Sequence, residues 1–373
     1  MNLEALILSA QELPPVPLQA CHAYHEAEDE MSGKVDVELA GRTDIMQLIG
    51  NNPLQMMYDN HKHHAAFMAS VFSISGYELL ARTIPWVYRA YSAHGFSYDY
   101  FPVELREWKV AVLDTLTGSN TDSIVAIYDW MLDKHSDMVA LSTRSPSHPM
   151  PVSEEWLEVK NTFIDGLLEG DHRSCMELAR HYVKSTGSIL SLYQQIIQPA
   201  MYEIGQLWEQ AEVSFAQEHL ASAVITKILL GISDGQPYSP PFRGKAVVTT
   251  SHNEFHEIGA WMVADLLEQD GWETQYLGTN TASGDVLQTL NDFLPSLLII
   301  SVTMSFNLGD VRTLIRTIRH NPVHAGVTIL VGGRVFIDNP ELVAKIGADL
   351  FAANLDEMLR LTRALEHQNG YLP

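Results

Sequence analysis

From residue 245 onward the sequence alternates short apolar runs with amphipathic stretches five times, ending with LDEMLRLTRALEHQ. The runs AVVTT (246–250), LLIISVT (297–303) and VTILVGG (327–333) are almost uniformly apolar. Strands of that kind must be covered on both faces. A parallel sheet with helices wound on either side meets that demand. Open sheets of this class bind ligands at the carboxyl ends of their strands. The loops after these runs are therefore where chemistry is expected.

The loop after the first run carries Glu254-x-His256-x-x-Gly259 and opens directly into a helix beginning GAWMVADLLEQ. A histidine on such a loop can swing out and reach a metal. A carboxylate two residues earlier can hold its other ring nitrogen, which fixes the tautomer and raises ligand basicity. Ser301-x-Thr303 ends the second run, and Gly332-Gly333 ends the third. A short motif alone is weak, and His256 by itself could be a loop histidine bonded to backbone. Three motifs in order, each at a strand's carboxyl end, carry more weight. Together they resemble the cobalamin-binding module of methionine synthase, the acyl mutases and the light-sensing cobalamin repressors. That family usually has Asp where this chain has Glu254. The resemblance implies His256 as the lower cobalt ligand in place of the cofactor's own base. It also places the displaced nucleotide tail beside Ser301, Thr303, Gly332 and Gly333, with Glu254 and Gly259 completing the set.

Bulk properties narrow the function classes. The 373 residues allow two or three domains. The net charge of −23 argues against nucleic-acid binding, which needs clustered Lys and Arg, and there is no helix-turn-helix segment. No stretch approaches a membrane span, and the apolar patch in MNLEALILSAQELPP lacks a basic region before it, so neither membrane nor signal peptide is expected. Two cysteines, Cys21 and Cys175, give no disulfide framework and fit a reducing cytoplasm.

The order of segments predicts a multidomain α and α/β chain. Residues 1–40 are punctuated by Pro, Glu and Asp and read as an irregular arm, while 43–140 carry helical spacing. The expected domains are an all-helical unit over 1–141, a four-helix bundle over 153–234, and a doubly wound parallel-sheet domain over 244–373. STRSPSHPMPVSEEW (142–156) and SDGQPYSPPFRGK (233–245) are linkers by composition.

A four-helix cap before such a sheet module is itself a family arrangement, with the cap over the upper face of the corrin. Light-sensing versions carry Trp, nine residues, then Glu-His; here Trp208, EQAEVSFAQ and Glu218-His219 match that spacing. The resemblance implies that Trp208 packs over the corrin, Glu218 accepts hydrogen bonds from the adenosyl ribose, and His219 orients either group. Without that context, Trp208 reads as core and Glu218-His219 as a solvated face. The residue after the Trp is His in the light-sensing repressors and captures cobalt after photolysis; here it is Glu209, so His219 or water would take that site.

The first helical stretch holds His61, His63 and His64, then Arg82, Tyr88, Arg89, Tyr91 and His94, then GFSYDYF with Tyr98 and Asp99. Such polar groups among apolar helices are costly unless each finds a partner. A flat polar-edged ligand would supply partners, with arginines for propionates and Asp99 for pyrrole N–H groups. HKHH cannot all face inward; His61 shares a face with Met57, and His64 with Phe67 and Met68. The WVYRAYSAHGF segment looks like a distant sensory-globin fold. A globin-like domain ahead of a capped cobalamin module resembles the photocobilins, which hold cobalamin and biliverdin. That implies a tetrapyrrole among His61, His64, Arg82, Tyr88, Arg89, His94, Tyr98 and Asp99, biliverdin first and haem as the alternative. Cys21 reads as a plain reduced thiol rather than a bilin attachment point.

The expectation is a cytoplasmic photoreceptor, not an enzyme, that binds adenosylcobalamin and biliverdin. Since the sequence ends at Pro373, its signal is expected to leave through light-dependent homo-oligomer assembly or an unknown protein partner. The rivals are a corrinoid carrier for methyl transfer and a haem-and-cobalamin redox or gas sensor using a proximal His such as His94.

Overall fold

The computed structural model describes residues 2–116, 121–143, 150, 152–233 and 243–365, so much of both linkers and the segment 366–373 lie outside the described residues. Two compact units emerge. The first holds the described residues up to Thr143 together with Glu209–Ala211; the second holds the rest.

The first unit is helical: α1 (Leu3–Gln11), α2 (Leu18–Glu26), α3 (Glu28–Ala40), α4 (Ile45–Leu48), α5 (Leu54–Ile74), α6 (Tyr77–Ala93), α7 (Tyr100–Thr115), α8 (Thr121–Asp133) and α9 (His135–Ser142). Residues 1–40 are thus not an irregular arm. They form α1–α3, and Leu6, Tyr24, Met31 and Leu39 are fully buried. The prolines that suggested irregularity sit between helices, where a missing N–H costs nothing: Pro17 is the N-cap residue of α2. The apolar pairs Leu6/Ala10, Cys21/Tyr24 and Val35/Leu39 keep helical spacing across them. α3 packs on α5 and α7, α1 on α6, and α7 on α8, around Phe72, Tyr100, Trp108 and Tyr128.

The second unit joins a bundle to a sheet. The bundle is α10 (Glu154–Glu169), α11 (His172–Thr186), α12 (Ile189–Leu192), a π-turn (Tyr193–Ile197), α13 (Gln198–Glu209) and α14 (Phe215–Ser233). α10 ends on Gly170 and α11 on Gly187, both left-handed, which supply the tight C-terminal turns. Before α14, the Ser214 Oγ accepts from Gln217 N while Gln217 Oε1 accepts from Ser214 N (3.3 and 3.1 Å). This reciprocal cap fixes where the first turn, with Glu218 and His219, begins.

The sheet follows: β1 (Gly244–Thr250), α15 (Ile258–Gln269), β2 (Trp272–Tyr276), α16 (Ser283–Phe293), β3 (Leu297–Ser301), α17 (Leu308–His320), β4 (Thr328–Gly332), α18 (Arg334–Asp338), α19 (Leu342–Ile346), β5 (Leu350–Phe351) and α20 (Leu355–Ala364). All strands run parallel in the order β2-β1-β3-β4-β5. The chain leaves β1 toward β2 on one side and returns to β3 on the other. The crevice outside their carboxyl ends is the topological switch point where open α/β sheets hold ligands. The doubly wound reading of this region agrees with the observed sheet.

The bundle and sheet share one apolar core, which runs from Phe163 and Tyr193 through Ile225 to Val248, Leu267 and Ile299. At its centre the Asp265 carboxylate accepts from Tyr193 of the π-turn (2.8 Å), Ser233 at the end of α14 (2.6 Å) and Gln269 (2.8 Å). Burial pushes its carboxyl above the usual range, and those three neutral donors only partly offset this. Among the described residues no helix is long and apolar enough to cross a membrane.

Gly333 sits at φ +102°, and a Cβ there would lie 2.2 Å from the Val302 carbonyl oxygen. Gly333→Ala is therefore expected to cost about 2 kcal/mol through strain and forced separation of the β3 and β4 ends. At Gly259 a Cβ would meet no neighbour within 4 Å, so Gly259→Ala should leave stability unchanged or slightly higher. Urea midpoints of the two variants check both; equal midpoints would refute the contrast.

Candidate functional site

The loop that leaves β1 turns at Asn253, whose φ of +56° is left-handed. That turn carries Glu254 inward and His256 outward. The Glu254 side chain is fully buried, while His256 is 58% exposed. Glu254 Oε1 accepts from His256 Nδ1 (2.5 Å) and from the His256 backbone N–H (3.2 Å). Its Oε2 accepts from the Thr303 and Met304 amides (2.8 and 2.9 Å) and from Asn307 Nδ2 (3.2 Å) in the loop after β3. One carboxylate thus ties together the two loops that flank the switch point.

The electrostatics follow from those contacts. Burial pushes the Glu254 carboxyl up, but the His256 hydrogen bond and charge, with the Met304 and Thr303 amides, outweigh it and hold it below the usual range. Burial pulls the His256 imidazole down, but the hydrogen bond and charge of Glu254, helped by the charge of Glu218, leave it above its ordinary value. Glu218, from the first turn of α14, is thus within electrostatic reach of His256. Among the described residues Nε2 of His256 has no hydrogen-bond partner, so its lone pair is available once the ring is neutral.

The donor set fits a cobalt corrinoid. No group of three or more His, Cys, Asp or Glu among the described residues is placed to hold a metal ion. His256 Nε2 offers one nitrogen, which suits a metal that brings its other ligands with it, as cobalt does in a corrin ring. Gly259 opens α15 with free space where a side chain would stand. Ser301 pairs with Gly332 at the last rung between β3 and β4, next to Gly333. Ser301, Thr303, Gly332 and Gly333 therefore meet at one end of the sheet.

The cap residues are placed differently. Trp208 is half-buried near the end of α13, and Glu218 and His219 lie on α14. Glu218 accepts from Ser222 Oγ (3.0 Å) and pairs with His219 Nδ1 (2.9 Å), and the exposed His219 ring lies against Phe215 at 4.1 Å between centroids. Thr226 of α14 approaches Glu257, the residue after His256, at 3.4 Å.

In the first unit several of the expected ligand groups have protein partners. His61 is fully buried between Asp36 (Nδ1, 2.5 Å) and the Tyr100 hydroxyl (Nε2, 2.8 Å). His64 meets the Tyr128 hydroxyl at 3.1 Å, and burial, then the charge of His61, pulls its imidazole down to about 3. Tyr88 pairs with His135 (3.1 Å) and stacks on Phe101; the Tyr98 hydroxyl accepts from Ser142 (3.1 Å). Arg82 is exposed and bonded to Glu78, Arg89 lies 3.8 Å from Glu209, and the His94 carbonyl accepts from Asn52. Asp99 is exposed, its N–H donating to Ser97 Oγ. Several of these side chains are thus already bonded within the protein. The burial of His61 with Met57, and of Phe67 and Met68 beside His64, follows the expected helix faces. Cys21 is buried, its thiol directed at the Val16 carbonyl, and burial pushes the Cys175 thiol up to about 11.

Sequence reasoning missed Asn307, Asn280 and Asp265. Asn307 is buried and bonds both Asn253 O and Glu254; no short motif marks it. Asp265 had a visible signal, an acid inside the apolar stretch GAWMVADLL.

Comparison with known proteins agrees with this geometry. Residues 244–360 match the model of a B12 binding domain, and residues 159–230 match a second B12 binding domain model. The chain is 22% identical over 170 residues to dimethylamine corrinoid protein 1 of Methanosarcina acetivorans, covering 44% of this chain and 78% of that protein. It is 22% identical over 167 residues to the HTH-type transcriptional repressor CarH of Myxococcus xanthus, covering 45% of this chain and 55% of the repressor. The solved monomethylamine corrinoid protein of Methanosarcina barkeri aligns with a TM-score of 0.48 at 18% identity, over 56% of this chain and 98% of that one. The second unit thus carries B12-binding domains.

The Glu254–His256 pair sets a pH dependence. Glu254, lowered on folding, contributes stability present above its unfolded value of about 4.3 and lost as pH falls through its folded value. His256, raised on folding, contributes stability present below about 6.5 and lost as pH rises through its folded value. For cofactor-free protein, the difference in urea midpoint between wild type and Glu254→Gln should be largest between about pH 4.5 and 6.5 and narrow above that window. A difference that does not vary with pH would show that the pair is not ionised.

Proposed function

We propose that this chain is a light sensor that binds adenosylcobalamin in its second unit. The observation that carries cobalamin binding is the saturated, buried Glu254 holding Nδ1 of a half-exposed His256 whose Nε2 is available, and the Trp208, Glu218 and His219 spacing supports the light-sensing form. Bound adenosylcobalamin supplies a cobalt–carbon bond that light can break. His256 would hold the cobalt through Nε2, and Glu254 would keep the ring in that tautomer. Ser301, Thr303, Gly332 and Gly333 line the place of the displaced nucleotide tail. Trp208 limits the room on the upper side, Glu218 accepts from ribose hydroxyls, and His219 sits beside it as the orienting group. With Glu209 in the position after Trp208, the cobalt-capturing role that the resemblance gives that position would fall to His219 or water. The signal leaves through a change in homo-oligomer assembly or in a protein partner. In the first unit, biliverdin, with haem as the alternative, is assigned to the set from His61 to Asp99; its support is the resemblance of the domain order to photocobilins.

A second reading has its own observation. The curated relatives include several dimethylamine corrinoid proteins, which favours a corrinoid carrier for methyl transfer. Against it stand Trp208, Glu218 and His219 at the light-sensing spacing, and a transcriptional repressor among the relatives.

His256→Ala should weaken cobalamin binding about ten- to a hundredfold and remove the absorption spectrum of the base-off, His-on form; an unchanged spectrum removes the reading. The parent protein should prefer adenosylcobalamin over methylcobalamin, and Trp208→Ala should erase most of that preference. Equal affinity in the parent favours the methyl carrier. Titration with biliverdin, followed by its red band, tests the second chromophore, and no band shift removes it.

A further inference from the structure

The His256 loop is held from two sides, and only one of them involves the glutamate side chain. On the far side stands Asn280, in the loop between β2 and α16, itself left-handed at φ +51°. Its Oδ1 accepts from the Asn253 backbone N–H at 2.8 Å. Its own N–H donates to the Glu254 carbonyl at 2.9 Å and to Thr250 Oγ1 at 3.1 Å. Thr250 Oγ1 in turn donates to the same Glu254 carbonyl at 3.0 Å. Asn253 is in the left-handed region, which asparagine adopts more readily than most side chains. Asn280 satisfies the N–H of that left-handed residue and the carbonyl of the next, so it fixes the turn that sends Glu254 inward and His256 outward.

From these contacts we infer that Asn280 is a positioning residue for the axial histidine, acting through the backbone of residues 253–254 rather than by touching the corrinoid. The inference rests on His256 serving as the cobalt ligand. Two loops share the work. The loop after β3 grips the Glu254 carboxylate, and the loop after β2 grips the main chain that carries it. Removing the carboxylate's donors would alter Glu254 itself. Removing Asn280 Oδ1 leaves every Glu254 side-chain bond in place and loosens only the turn. A loosened turn spreads His256 over more orientations, so less of the population presents Nε2 correctly. Apparent affinity falls by that fraction.

The two parts of Asn280 can be separated by substitution. Asn280→Gly keeps the left-handed backbone and removes the acceptor. Asn280→Asp keeps both. The test is titration of the full chain with adenosylcobalamin in the dark, followed by absorbance, for wild type, Asn280→Gly, Asn280→Asp, His256→Ala and the double variant His256→Ala/Asn280→Gly. Urea midpoints of the cofactor-free proteins verify that each is folded. Asn280→Gly is expected to weaken binding about fivefold, the size of one ordinary hydrogen bond, with a matching loss of the His-on band. Asn280→Asp should restore both. In the His256→Ala background Asn280→Gly should change nothing further, because its route runs through His256. An equal loss in both backgrounds, or no loss in the parent, overturns the inference while leaving His256 as ligand. A His256→Ala protein that binds and absorbs like wild type overturns the ligand assignment, and this inference with it.

Discussion

A buried carboxylate organises the second unit. Glu254 has no exposed side-chain surface, and a charge in that position is tolerated only when its lone pairs are filled. It finds five donors: two from His256, one each from Thr303 and Met304 backbone, and one from Asn307. Those donors come from loops that can meet only because β1 and β3 are neighbours in the sheet while β2 lies on the other side. The strand order, the turn at Asn253 and the presentation of His256 are therefore parts of one arrangement. A chain with the same motif but a different strand order would leave the charge uncompensated.

A second buried carboxylate shows what changes when the donors are neutral. Asp265 accepts three hydrogen bonds, yet its carboxyl is held above the usual range, whereas Glu254, with five, lies below it. The difference is the imidazole: Glu254 faces a group that can carry a positive charge, and Asp265 faces two hydroxyls and an amide. Asp265 joins the π-turn and the end of α14 to α15, the helix that starts two residues after His256. π-turns are uncommon and often mark functional sites. Here the turn places Tyr193 so that the bundle is bonded to the helix leading away from the His256 loop.

Sheet and loop were legible in the sequence because their signals are local. Strands buried on both faces write continuous apolar runs, and the His256 loop writes a short motif at a strand end. Gly333 was legible for the same reason, since only glycine fits against the Val302 carbonyl. What the sequence did not show depended on long-range context. Residues 1–40 looked irregular because prolines and acids dominate composition, yet their apolar residues keep helical spacing between the breaks. The partners of the first unit's histidines, Asp36 for His61 and Tyr128 for His64, lie 25 and 64 residues away in sequence, so the sequence did not show them. Asn280 and Asn307 were invisible because each is a lone asparagine whose role exists only once three loops are side by side.

The central claim is that a protein nitrogen, His256 Nε2, takes the axial position on cobalt in place of the cofactor's own base. Electron paramagnetic resonance of the Co(II) form reads that nitrogen directly, because an axial nitrogen splits each cobalt line according to its nuclear spin. Protein grown with 15N-labelled histidine and loaded with unlabelled cobalamin should show each cobalt line split into a doublet. Retention of the triplet given by ordinary nitrogen would mean that the cofactor's base is still bound, and would contradict the account.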